Sequence, residues 1–261
     1  MRVALAQLSS TTDPLANLAL VREYVDRAAR DGAELVVLPE ATMHSFQRSP
    51  AEAAEPLDGP WANAVRGIAA EHGVTIVVGM FTAATPLVRN TLLVTGEAEA
   101  QYDKIHLFDA LGYSESRTIQ AGDRPVVVRL GSAGVGLATC YDIRFPALFT
   151  HLAELGAEVI VVPASWAPGP TKVHQWRTLA TARAMDSTCF VVACGQARAA
   201  DGDGSRPTGV GHSLVVDPLG NVLVELGDEP DLAVVDLDLT LVAEAREAMP
   251  VLRNARRFPE G

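Results

Sequence analysis

The sequence predicts an α/β protein, an α-β-β-α sandwich built from two similar β-α-β-α-β halves. Three observations point to it. The stretch Gly32-Ala33-Glu34-Leu35-Val36-Val37-Leu38-Pro39-Glu40 is echoed by Gly156-Ala157-Glu158-Val159-Ile160-Val161-Val162-Pro163-Ala164. A second stretch, Val74-Thr75-Ile76-Val77-Val78-Gly79, is echoed by Thr188-Cys189-Phe190-Val191-Val192-Ala193. All four runs are short, β-branched and apolar on both faces, as strands covered on both sides must be. A duplicated unit with one bare sheet face buries that face on its twin, which leaves the helices outside. A single doubly wound sheet is the alternative. Its dinucleotide-binding version has no support, because no Gly-x-Gly-x-x-Gly follows the first strand.

In chain order, the first strand is expected at residues 3–6 and leads into a helical stretch at 14–30. A strand at 35–39, a helix at 61–71 and a strand at 74–79 follow. Further strands at 90–94 and 97–102 are joined by Val94-Thr95-Gly96-Glu97, which has hairpin chemistry. The second half repeats the pattern: strand 135–139, helix 147–155, strand 159–163, helix 173–186, strand 188–193. Late strands at 211–217, 222–226 and 233–237 complete it, with Asp217-Pro218-Leu219-Gly220-Asn221 as a turn. Residues 45–60 carry Pro50, Pro56, Gly59 and Pro60, and residues 197–211 are rich in Gly, Asp, Arg and Ser. Neither segment has a period. Each reads equally as the mouth of a site or as a surface insertion.

A chain of 261 residues accommodates this fold as one domain spanning residues 1–261. Hydrophobic residues make up 48% and charged residues 20%, the balance of a globular protein in water. The formal net charge of -11 argues against nucleic acid or an anionic membrane as partner. It leaves room for an anionic small molecule in a locally positive pocket. The three cysteines, Cys140, Cys189 and Cys194, have no regular spacing, so no disulfide framework is expected. Residues 1–7 run into a strand without a signal-peptide pattern, and no apolar run is long enough to cross a bilayer. The expectation is a cytoplasmic protein with free thiols.

Three polar residues stand at strand ends. Cys140 closes Val135-Gly136-Leu137-Ala138-Thr139, Glu40 closes Leu35-Val36-Val37-Leu38-Pro39, and Lys104 follows Ala100-Gln101-Tyr102-Asp103. Ligands of α/β sheets bind outside the carboxyl ends of strands. A thiol, a carboxylate and an amine placed there suggest nucleophile, base and oxyanion stabiliser. Taken singly, Cys140 also reads as a small buried hydrophobe and Lys104 as a solvated surface residue. Glu40 fits a core poorly, since a carboxylate after five apolar positions must be paired, solvated or functional. Cys189 and Cys194, at the ends of a strand-like run, are assigned to the core. Arg177 and Arg183, on the helix at 173–186, are assigned structural or interfacial roles. No Gly-x-Ser-x-Gly occurs, nor do the six histidines show His-x-x-x-His spacing. Neither a Ser-His-Asp hydrolase nor a metal site is expected.

The blocks Leu38-Pro39-Glu40, Tyr102-Asp103-Lys104-Ile105-His106-Leu107-Phe108-Asp109 and Cys140-Tyr141-Asp142-Ile143-Arg144-Phe145-Pro146 resemble, in order and spacing, the three signature blocks of the nitrilase superfamily, the carbon–nitrogen hydrolases. The resemblance extends through Gly211-His212-Ser213-Leu214-Val215-Val216-Asp217-Pro218 and Met249-Pro250-Val251-Leu252-Arg253. It implies the same α-β-β-α sandwich. It also implies that Cys140 is the nucleophile, Glu40 the general base and Lys104 the oxyanion stabiliser, with the backbone N–H of Tyr141 as second donor. Glu115 matches an auxiliary glutamate that hydrogen-bonds the lysine.

Within the superfamily the chain resembles the omega-amidase and deaminated glutathione amidase branch. That implies a cofactor-free thiol amidase that frees ammonia from the omega-amide of a small dicarboxylic acid through a cysteine thioester. Arg144 would then grip the substrate carboxylate bidentately. Equally, it would pair with Asp142 near a helix start. An N-carbamoyl amide hydrolase or an aliphatic nitrilase is the alternative enzyme, and a non-catalytic interaction protein the alternative class. The segment Ala41-Thr42-Met43-His44-Ser45-Phe46-Gln47 departs from the branch pattern where pocket residues are expected. The family forms homodimers and larger homo-oligomers, and Met249, Val251 and Leu252 would suit a subunit contact.

Overall fold

The computed structural model of the protein describes residues 1–198 and 208–256. The first half runs β1 (Arg2–Gln7), α1 (Pro14–Arg30), β2 (Leu35–Val37), α2 (Pro60–His72), β3 (Thr75–Ala84), β4 (Leu87–Thr95) and β5 (Ala100–Asp103). A small hairpin, β6 (Asp109–Ala110) and β7 (Tyr113–Ser114), leads to the second half. This runs β8 (Val127–Leu130), β9 (Ala133–Leu137), α3 (Pro146–Glu154), β10 (Val159–Ala164), α4 (Lys172–Ser187), β11 (Phe190–Gly195), β12 (Leu214–Val216) and β13 (Val222–Glu225). β14 (Asp231–Asp236), α5 (Thr240–Ala248) and α6 (Val251–Asn254) close the described chain.

The strands form two six-stranded sheets, ordered β14-β1-β2-β3-β4-β5 and β13-β12-β11-β10-β9-β8. In each sheet the three strands joined through helices are parallel, and the flanking strands are antiparallel. The period of two along each strand then sorts the side chains. Val3, Leu5, Val37 and Val77 of one sheet meet Val135, Leu137, Val161 and Val192 of the other. The alternate residues face helices. Ala4, Val36 and Ile76 lie under Val21, Val25 and Val65. Ile160, Val162 and Val191 lie under Phe149, Leu152 and Ala180. Two sheets between two helical layers is the expected α-β-β-α sandwich.

Local chemistry explains the helix ends. The Asp13 side chain accepts from Leu15 N ahead of α1, whose first residue is Pro14. α2 likewise begins on Pro60, and it ends on Gly73 in the left-handed conformation.

The strand assignment needs four corrections. β14, expected with the second half, pairs with β1 over its full length, from Arg2↔Asp236 to Gln7↔Asp231. It thereby covers an edge that would otherwise stand open. β8, which the pattern did not reveal, does the same for β9. β3 and β4 run beyond the expected strands and pair from Ile76↔Thr95 to Ala84↔Leu87. Thr188 caps α4 in the left-handed conformation, so β11 starts at Phe190. Of the two irregular segments, the first contains a 3-10 turn at Pro50–Glu52. Residues 199–207 of the second lie outside the described residues. Among the described residues no helix is long and apolar enough to cross a membrane.

Candidate active site

Glu40 lies just past β2, on backbone stitched to β3 by Leu38 N to Val77 O at 2.8 Å. Gly79 of β3 makes this close approach possible. A Cβ there would stand 2.6 Å from Ala41 N and 2.8 Å from Glu40 Cα. Lys104 directly follows β5, with its N–H on Asn90 O at 2.9 Å. Glu115 opens a 3-10 turn, Glu115–Arg117, after the β6–β7 hairpin. Cys140 follows β9 and opens a second 3-10 turn, Cys140–Arg144, which runs into α3. Its φ of +46° is rare for a residue with a side chain. Strain of this kind persists only where the surroundings impose it.

Those surroundings are visible. Asp142, two residues on, is fully buried. It accepts from Thr139 N at 2.8 Å, Tyr102 Oη at 2.6 Å and His106 N at 3.0 Å, and its Oδ1 lies 2.7 Å from His106 Nδ1. From α4, Arg183 donates Nη1 to Ile143 O at 3.1 Å while paired with Asp186 at 2.6 Å. The structural role expected of Arg183 is therefore specific: it holds the turn that presents the thiol. Arg177 pairs with Glu225.

The charged groups converge. Lys104 Nζ donates to Glu40 Oε1 at 2.9 Å and to Glu115 Oε2 at 2.9 Å. Asn90 Nδ2 donates to Glu40 Oε1 at 2.7 Å and to Glu115 Oε1 at 3.2 Å. Glu40 Oε2 accepts from Ser165 N at 2.7 Å, and Glu115 Oε2 from Phe108 N at 2.7 Å. Each buried carboxylate is thus both paired and hydrogen-bonded. The Cys140 thiol lines the same pocket as Glu40, close enough for the carboxylate to act on it.

Burial alone would push the Lys104 ammonium down. Glu115, Glu40 and the nearby thiol override it and hold Lys104 well above its usual range. The Cys140 thiol is pushed well above the usual range by burial and then by Glu40, with Lys104 opposing. A thiol in that state attacks only if a base takes its proton in the same step, and Glu40 is the carboxylate that acts on it most strongly.

Glu40, Lys104, Glu115, Cys140, Tyr141 and Arg144 all line one pocket. The structure thus brings every candidate residue together. Arg144 does not pair with Asp142, which is occupied as described. It donates Nη2 to Gln175 Oε1 at 2.7 Å and lies over Trp166, 5.0 Å from the ring centroid. Phe46, Phe108, Tyr113 and Trp166 supply apolar and aromatic wall. Phe46 lies in the segment after Glu40, where pocket residues were expected. Cys189 and Cys194 are fully buried away from the pocket, and burial pushes the Cys194 thiol up to about 12. Among the described residues no cluster of His, Cys, Asp and Glu could hold a metal ion. Sequence reasoning missed Asn90, the Ser165 amide, Trp166 and Lys172. A backbone amide carries no sequence signal, and Asn90 lies within a strand where only its facing could have marked it.

The family model described as carbon-nitrogen hydrolase matches residues 2–247. Hydrolase Rv0480c of Mycobacterium tuberculosis is 52% identical over 270 residues, covering 99% of this chain and 96% of that protein. A deaminated glutathione amidase of Escherichia coli O157:H7 is 33% identical over 267 residues, covering 99% and 98%. The crystal structure of Saccharomyces cerevisiae Nit3, a member of branch 10 of the nitrilase superfamily, matches with a TM-score of 0.83 at 26% identity. It covers 96% of this chain and 94% of that one.

Proposed function

This chain belongs to the carbon–nitrogen hydrolase family and acts on amides, and from that premise we propose that it does so as a thiol amidase in which Cys140 is the nucleophile. The observation that carries the proposal is that the buried Glu40–Lys104–Glu115 ion pairs line one pocket with the Cys140 thiol. Cys140 Sγ attacks the carboxamide carbon as its proton passes to Glu40. The oxyanion accepts hydrogen bonds from Lys104 Nζ and the Tyr141 N–H. The C–N bond then breaks, Glu40 returns the proton to the leaving nitrogen, and ammonia departs. A thioester remains on Cys140. Water attacks it as Glu40 takes a proton, the C–S bond breaks, and the thiol is re-formed with that proton. The product is a carboxylic acid. Glu115 acts through Lys104 by holding its charge and position, and no cofactor takes part.

The substrate class we propose is the omega-amide of a small dicarboxylic acid. Arg144 supports it: the guanidinium lines the pocket and, among the described residues, has no carboxylate partner. The name of the E. coli relative supports amide chemistry in the same branch. The experiment is ammonia release from such a monoamide, with mass spectrometry of the enzyme during turnover. A thioester adduct on Cys140 is expected, and Cys140→Ala should abolish turnover while folding normally. Cys189→Ala and Cys194→Ala should retain substantial activity. Near wild-type ammonia release by Cys140→Ala would remove the thiol mechanism. Carbon dioxide released along with the ammonia would reassign the enzyme to N-carbamoyl compounds.

A further inference from the structure

The inner pocket, about 30 Å³, adjoins an outer one of about 570 Å³. Four residues line both: Phe108, Tyr141, Arg144 and Lys172. Both cations therefore stand at the boundary, or neck, where the two pockets meet. Lys172 Nζ lies 5.5 Å from the Trp166 ring centroid and 5.8 Å from that of Phe108. Arg144 sits over the same Trp166 ring at 5.0 Å.

The anchor of Lys172 is fixed. Its carbonyl accepts from Trp166 Nε1 at 3.0 Å, and its N–H donates to Gly169 O at 3.2 Å.

Stability does not explain a lysine here. Lys172 is the first residue of α4, whose first turn holds no acidic residue, so the ammonium faces the positive end of the helix. Burial and then Arg144 push its pKa down. Among the described residues neither Lys172 nor Arg144 reaches a carboxylate. Of the charged residues lining the inner pocket, three are cations and two are carboxylates. Lys104 is already engaged by both carboxylates. The two cations at the neck are left for an incoming anion, in a protein whose net charge is -11. Helix stability and cation repulsion both oppose a lysine at this point, and a bound carboxylate would relieve both.

We propose that Lys172 is a specificity-determining residue that joins Arg144 in a two-cation clamp at the pocket neck, closing on the carboxylate of the acyl chain while its amide reaches Cys140. The inference rests on the dicarboxylate reading above and assigns the residue that enforces it. Arg144, held by Gln175, supplies the planar fork. Lys172, on a flexible stem, supplies a movable point charge.

The test compares kcat/KM for a monoamide of a dicarboxylic acid with that for its methyl ester, in wild type, Lys172→Met, Lys172→Arg and Lys172→Glu. Lys172→Met should lower the acid-over-ester preference at least about tenfold, equivalent to about 1.4 kcal/mol, mainly through KM. Lys172→Arg should keep most of the preference, and Lys172→Glu should lower it further. Melting temperatures check folding: Lys172→Met should melt no lower than wild type, since it removes a cation from a helix N-terminus. A folded Lys172→Met whose preference stays within about twofold of wild type overturns the clamp alone. A wild type that hydrolyses acid and ester alike overturns the dicarboxylate reading and the clamp together.

Discussion

Lys104 is the residue on which the charge balance of the site turns. Its side chain is 3% exposed and sits between two carboxylates. Removing it leaves Glu40 and Glu115 facing each other unpaired, which costs about 3–5 kcal/mol. Because the pKa of Lys104 is raised in the folded state, its contribution is complete below the unfolded value of about 10.4 and is lost as pH rises through the higher folded value. Urea denaturation across a pH series should therefore find Lys104→Met less stable by a constant margin from neutral pH to about 10, narrowing only above that. In the proposed mechanism Glu40 carries the proton rather than the charge balance. Glu40→Gln keeps the shape and cannot accept the thiol proton, so kcat should fall roughly a hundredfold or more. A mild loss in kcat with weakened substrate affinity would instead reassign Glu40 to binding. Glu40, Lys104 and Cys140 were legible because each follows a strand-like run, and the order of the three blocks is specific. Lys172 was not, because a lysine after Pro168-Gly169-Pro170 looks like any loop lysine. Only the fold places it beside Arg144.

At the scale of elements, the site is made by turns at strand ends, and the turn at Cys140–Arg144 is the most constrained. The fully buried Asp142 carboxylate ties it to the Tyr102–His106 segment, which also carries Lys104. His106 stacks on Phe145 at 3.7 Å, so Cys140 and Lys104 share one support. Asp142→Asn replaces one accepting oxygen with a donor and leaves buried N–H or O–H groups unmatched, at about 1–3 kcal/mol. A lower melting temperature should accompany a fall in kcat larger than any rise in KM, because the thiol is misplaced rather than the substrate unbound. Unchanged kcat in the folded variant would show that the turn holds its strain without this network. The same scale explains what the sequence pattern could and could not convey. β2, β3, β10 and β11 are apolar on both faces and were read directly. The pattern of β14 identifies a strand but not its sheet, since pairing with β1 is a long-range choice. β8 is four residues with Arg129 exposed, too short to stand out. In α5 only Val242 and Ala245 are buried, a face too thin to recognise among its charges.

For the whole molecule, the open question is what covers the apolar tail. Met249 is 63% exposed and Val251 36% exposed, while Leu252 packs against the core beneath α4. We propose that this tail joins copies of the chain into a homodimer or larger homo-oligomer, as the family resemblance implies. Each copy carries a net charge of -11, so long-range electrostatics oppose association and apolar burial has to overcome them. This makes the salt response diagnostic. The Debye length falls from about 30 Å at 0.01 M to about 8 Å at 0.15 M salt, which screens the repulsion and leaves apolar contacts intact. Light scattering at micromolar concentration should therefore give at least a dimer mass whose population holds or grows as salt rises. Met249→Asp places a charge where the contact would bury it unpaired, and should shift the protein toward monomer without lowering its melting temperature as a monomer. A monomer at every salt concentration would remove the assembly. A dimer that dissociates with added salt would relocate it to an ionic surface away from the tail.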